Sequence, residues 1–269
     1  MQQRRFSVAC SLLLSAVSLL DSRRGWAEPS PQAVSAYNSY VGTVEARLLR
    51  QHQWQSSFLA GPASASQNAG RLRSGEQIIE ELTPESGGAL AGALLHDWRG
   101  TAFAPGASAA GFERMLRDFN AYPQRFSPQV LEAKVVSQQG DHLLATMRVR
   151  QRHVLTVVMD STYDVAFGRV NVQDGYSSSR STAIYEIDAP GTSREHRLSA
   201  TEEHGFLWRL NTYWTYEERD GGLHIQIESV SLSRAIPAGL GWALRPFVES
   251  VPRESLEFTL RSACDAVRK

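Results

Sequence analysis

The residues of this chain that could do chemistry are few and scattered. Seven histidines are present, and none stands in a His-x-His or His-Glu-x-x-His spacing, so no single strand or helical turn delivers two imidazoles to one metal ion. His196 and His204, with Glu195, Glu202 and Glu203 around them, form the nearest thing to a cluster. They lie in a charged stretch that reads as a solvated loop. There is no Gly-x-Ser-x-Gly elbow and no Gly-x-x-x-x-Gly-Lys phosphate loop. Cys264 has no activating neighbour in sequence, and a buried thiol packs as a small apolar group. What remains for acid/base work is a set on expected strands: His153, Asp160, Arg180 and Glu228. A titratable pair pointing into one cavity is what an enzyme would need from them. Arg180 shares a face with Tyr176, Ser178, Thr182 and Ile184, which suits an inward position opposite an anionic group, or an exposed one on a two-faced sheet. Glu228 falls opposite Ile225 and Ile227, which counts against it as a cavity residue.

Large apolar rings offer more. Phe206, Trp208, Leu210, Trp214 and Tyr216 alternate along one stretch, and Met159 and Tyr163 alternate along another. With Leu256 and Leu260 of a terminal helix they could line a ligand cavity, because aromatic rings supply wide contact area and, in Trp and Tyr, a polar handle. The plainer alternative is that the same residues fill a solid core.

The elements that must position these residues follow from period and punctuation. Gly205 to Arg219 and Leu223 to Leu232 read as two strands joined at Asp220-Gly221-Gly222, which supplies the positive-φ positions of a hairpin turn. Beyond Pro237 the period turns helical. Pro246 and Pro252 suggest a short helix and then a longer one with Pro252 in its first turn, carrying Leu256, Leu260, Ala263 and Val267 on one stripe. Earlier, Gln32 to Trp54 reads as a helix, 61–70 as a loop and Arg71 to Leu82 as the site of a short strand. His96 to Ala104 reads as a strand, and Ala109 to Phe119 as a helix capped by Ser108. Strands follow over Val130–Gln138, His142–Gln151, Val154–Phe167, Arg169–Asp174 and Tyr176–Ile187. Consecutive antiparallel strands prefer to be neighbours, so an α+β architecture is expected: a curved meander with the last helix on its concave side.

Arg4 and Arg5, an apolar run from Phe6 to Leu20 and the small residues before Glu28 read as an export signal cleaved near Ala27. The run is short for a bilayer span, so an exported, periplasmic or secreted protein is expected. Acidic and basic residues are equal in number, at 28 each. The leader holds four of the arginines and one aspartate, so the remainder is slightly acidic and no nucleic-acid partner is expected. One cysteine outside the leader forms no internal disulfide, and stability must come from packing. The organisation expected is a signal at 1–27, an N-terminal extension at 28–95 and one domain at 96–269.

In this order of elements the chain resembles the START/Bet v 1-like helix-grip superfamily, also called polyketide cyclase-like or SRPBCC. The resemblance covers roughly His96 to Val267. Its most local echo is Leu116-Arg-Asp-Phe-Asn-Ala-Tyr-Pro-Gln-Arg-Phe-Ser-Pro128, which is similar to a segment of the coenzyme-Q-binding and cyclase branch. The resemblance implies a cavity between sheet and terminal helix that takes an apolar small molecule or lipid, with no cofactor or metal, and it allows peripheral contact with a membrane. Three functions fit: a ligand carrier, an aromatase/cyclase-type enzyme using the same cavity, or an envelope interaction module presenting the helix at 32–54.

Overall fold

The computed structural model describes residues 28–53, 58–59, 66–83, 89–90, 92–152, 156–236 and 241–268, without the side chains of 66, 67, 89 and 241–249. The expected signal and His153 lie outside these.

The first helix, α1 (Pro31–His52), begins where the sequence says it should. Ser30 caps it by accepting from the Ala33 amide at 3.1 Å, and Pro31 occupies the first turn, where its missing N–H costs nothing. Ala33, Tyr37, Val41, Val44 and Leu48 recur every three or four residues, and all are buried. A short α2 (Ser66–Arg73) follows, then β1 (Ile78–Glu81), β2 (Ala89–Leu90) and β3 (Ala93–Pro105). The loop-then-strand reading of 61–82 therefore gives way to a helix across its middle, and the strand expected from His96 begins three residues earlier.

The helix α3 (Ala109–Arg117) is capped by Ser108, whose Oγ accepts from Gly111 N at 3.1 Å. It ends two residues before Phe119. A 3-10 turn (Phe119–Ala121) and a single helical turn, α4 (Tyr122–Arg125), come next. Strands β4 (Val130–Gln139), β5 (His142–Arg152), β6 (Thr156–Arg169) and β7 (Asp174–Asp188) run on from there. The two-residue β8 (His196–Arg197), β9 (Arg209–Arg219) and β10 (Gly222–Arg234) complete the set. The strand expected over 169–174 is instead the β6–β7 turn. The β9–β10 turn is built as expected, with Asp220 at φ 58° and Gly221 at φ 76°, both in the region a tight primed turn requires.

Every strand pairing is antiparallel, in the order β1-β3-β10-β9-β7-β6-β5-β4, with β2 and β8 attached to β3 and β7. Register shifts in β4–β5 and in β6–β7 at Thr162/Tyr163 bend the sheet. Its concave side faces the last helix, α5 (Gly241–Val267), which is continuous through both prolines where two helices are expected. Each proline removes one donor from the ladder. Burial of Leu256, Leu260, Ala263 and Cys264 against the sheet, at roughly 1.5–3 kcal/mol for each large aliphatic side chain, offsets that loss. The helix packs tightly on the sheet at Gly100 of β3, where an added Cβ would meet Leu256 Cδ2 at 2.7 Å. The result is α+β: a curved sheet gripping its C-terminal helix, with α1 laid across the other face.

Candidate functional site

Between the sheet and the stretch of α5 from Val251 to Thr259 lies a cavity of about 450 Å³, within the usual range for small-molecule sites of roughly 300–1,000 Å³. Met147 and Val149 of β5, with Met159, Tyr163 and Val165 of β6, form one wall. Leu116, Phe119, Tyr122 and Phe126, from the end of α3 through α4, form another. Leu256 and Phe258 of α5 close the roof, and Trp214 and Ile227 lie on the floor. Gln151 Nε2 donates to Ser255 Oγ at 3.1 Å and ties β5 to α5 along one side.

Polar groups on this surface are mostly neutral. Ser177 and Ser179 of β7, Thr212 of β9, and Ser229, Ser231 and Ser233 of β10 present hydroxyls to it. His96 of β3 also reaches it. Burial pushes the Tyr163 phenol above its ordinary range, so it stays neutral. Arg234 and the loop His204–Leu207 sit at the mouth.

That loop is fastened by one buried carboxylate. Glu186 accepts from His204 Nδ1 at 2.8 Å and from the amides of His204, Gly205 and Phe206 at 3.0, 2.9 and 3.0 Å. Burial works to raise the Glu186 carboxyl, and the hydrogen bonds from His204 and Phe206 outweigh it, holding the group below the ordinary carboxylate range. The Glu186–His204 pair at the mouth is thus engaged in holding the loop.

Of the ten residues the sequence nominates, Met159, Tyr163, Phe206, Leu210, Trp214 and Leu256 line the cavity. Tyr216 and Leu260 face the same side but lie in the solid part of the core. The Tyr216 ring packs edge-on to Phe112 at 5.1 Å and its hydroxyl donates to Glu113 at 3.3 Å. Trp208 belongs to the opposite side, buried with Tyr37, Val230 and Leu232. It precedes the β9 ladder, where the strand alternation that would turn it inward does not yet apply. Arg180 is also a correction: it pairs with Asn211 in register and turns outward, donating to Glu45 Oε1 of α1 at 2.7 Å.

The acid/base candidates turn out likewise. Asp160 takes two hydrogen bonds from Arg148, at 2.7 and 2.9 Å. Glu228 accepts from Arg99 Nε at 3.1 Å and from Arg47 on the outer face. Among the described residues no three His, Cys, Asp or Glu side chains gather as metal ligands. The residues sequence reasoning missed are the floor hydroxyls. Their signal was the alternation Ser229-Val-Ser-Leu-Ser233, in which hydroxyls occupy one face and apolar residues the other.

The geometry defines the class: a helix-grip protein with an internal cavity. No protein-family model and no curated protein matches the sequence. Among solved structures the chain is similar to the Zhui aromatase/cyclase of Streptomyces sp. R1128, at 11% identity over 65% of this chain and 94% of that one, with a TM-score of 0.45. It is similar to a STAR-related lipid transfer protein of Xanthomonas axonopodis, at 16% identity over 68% and 98%, with a TM-score of 0.39. Human STARD10 shows 10% identity over 65% and 70%, with a TM-score of 0.41. These likenesses are too distant to carry an argument about ligand or activity, and the class stands on the architecture above.

Proposed function

We propose that this chain is an exported binding protein that holds a hydrophobic small molecule or lipid between its sheet and C-terminal helix. One observation carries the reading: a mostly apolar cavity of about 450 Å³ left open where a solid core would otherwise form. Protein interiors fill such space with side chains unless something else occupies it. The carrier reading is preferred to an enzyme because Asp160, Arg180 and Glu228 spend their charges outside the cavity, and Glu186 with His204 is engaged in the mouth loop. Export rests on the sequence pattern at 1–27, and no described helix is long and apolar enough to cross a membrane.

Organic extraction of the purified protein, followed by mass spectrometry, should release one apolar compound in near-stoichiometric amount. Extracts holding only what buffer blanks hold would overturn the reading. Intact mass of the protein recovered from an exported fraction should correspond to loss of residues 1–27; an uncleaved chain there would remove the export part alone.

A further inference from the structure

The cavity is apolar on its walls, yet its floor carries a line of hydroxyls. In register, Ser179 of β7 stands beside Thr212 of β9, and Thr212 beside Ser229 of β10. Neighbouring strands lie about 4.8 Å apart, so these three hydroxyl-bearing residues cross roughly 10 Å of floor. Ser177 extends the line at one end and Ser231 at the other, each two residues along its strand. Ser177 is 3% exposed and Ser231 is 8% exposed. Both line the cavity, and no hydrogen bond within the described residues engages either hydroxyl.

Buried hydroxyls normally find partners. On the outer face of the sheet they do: Thr215 Oγ1 of β9 meets His52 Nε2 at 3.0 Å, and Thr101 Oγ1 of β3 accepts from Gln226 of β10 at 2.9 Å. A bare hydrocarbon in the cavity would leave the floor hydroxyls dry. A carboxylate or phosphate lying on the Ser179–Thr212–Ser229 line would meet no arginine or lysine among the described residues there, because the guanidinium described on the lining belongs to Arg234 at the mouth. Neutral oxygens answer both constraints, since hydroxyls donate to carbonyls and exchange bonds with other hydroxyls.

We infer that the ligand of this cavity is an uncharged amphiphile carrying two or more hydroxyl or carbonyl oxygens along one edge, which lies on the Ser179–Thr212–Ser229 line while its apolar body faces β5, β6 and α5. The inference rests on the binding reading and adds the ligand's chemistry to it.

Three tricyclic probes of similar shape test it by fluorescence titration of the full chain: anthracene, 1,8-dihydroxyanthraquinone and anthracene-9-carboxylate. The dihydroxyquinone should bind at least tenfold tighter than either of the others. A Ser179→Ala, Thr212→Val, Ser229→Ala triple variant, checked for an unchanged fold by near-ultraviolet circular dichroism, should erase that preference while keeping anthracene affinity or improving it. Each hydroxyl removed singly should cost the dihydroxyquinone about threefold to tenfold. Equal binding of all three probes, tighter binding of the carboxylate, or a preference that survives the triple variant would overturn the hydroxyl line and leave the cavity reading standing. If no probe binds, the cavity reading itself falls, and this inference with it.

Discussion

The two faces of one sheet are built on opposite principles. On the outer face, under α1, charged side chains are buried or half-buried and drawn into pairs. Glu228 is held by Arg99 and Arg47, Tyr40 donates to Asp97 at 2.7 Å, and Glu45 accepts from both Arg180 and Tyr213. On the inner face, under α5, the polar groups that β7, β9 and β10 present to the cavity are serine and threonine hydroxyls, and space is left beside them. Buried charge stays affordable only when paired, so the outer face is closed and structural. The inner face leaves hydrogen-bonding capacity that the proposed ligand would use. One face holds α1 to the sheet through charge, and the other keeps open space.

Substitutions can break this contrast. The largest effect is expected at Glu228→Gln, which leaves buried Arg99 with only Glu80, at 4.0 Å, as a charged partner and should cost about 3–5 kcal/mol in chemical denaturation. Ligand retention by the protein that remains folded should not change. Gly100→Ala comes next, because the new methyl would strike Leu256 Cδ2 at 2.7 Å. Overpacking of this kind costs about 1–3 kcal/mol, and by prying α5 from β3 it should alter ligand affinity too, an effect Glu228→Gln should lack.

The outer face also has a pH signature. Burial, reinforced by the charge of Glu228, pushes Asp97 up to about 7. An acid raised in the folded state binds more protons there than in the unfolded chain, so stability falls as pH rises. The penalty is absent below about pH 4, the ordinary aspartate range, and complete above about pH 7. Burial raises Glu80 as well, which adds the same sign. His52, which burial depresses to about 4, acts in the opposite direction between about pH 4 and 6.5, so the Asp97 signature is read as a difference. The urea stability of the natural chain relative to an Asp97→Asn variant should fall as pH rises from 4 to 7, by at most about 1.4 kcal/mol per pH unit. Asp97→Asn should leave cavity binding alone. The smallest effect is at Cys264, a buried thiol that burial pushes up to about 12. Thiol reagents should label it only as fast as the protein unfolds; rapid labelling of the native protein would mean that α5 leaves the sheet.

Much of the fold was legible because it follows from local rules. Ser30, Ser108 and the Asp220-Gly221 turn punctuate the chain where capping and turn chemistry require, and strand alternation predicted the meander. Alternation does not say which face is inside, and here both faces are covered. Val230 and Leu232 lie beneath α1 while Ser229 and Ser231 face the cavity, the reverse of what a hydrophobic-inside reading of that strand gives. Trp208 and Arg180 were misplaced for related reasons. The first lies before its ladder begins, and the second finds its partner on a helix more than a hundred residues away in sequence. The continuity of α5 through Pro246 and Pro252 was hidden as well, since the tertiary contacts that hold it are not local.

The most direct measurement is native mass spectrometry on the full chain and its Leu210→Trp variant, purified side by side. Leu210 lines the cavity, and an indole there fills space otherwise left for a ligand. The natural chain should carry the added mass of one small molecule, and the variant should fly bare at equal or slightly greater stability. Bare masses for both, or the same adduct on both, would contradict a ligand held between sheet and helix.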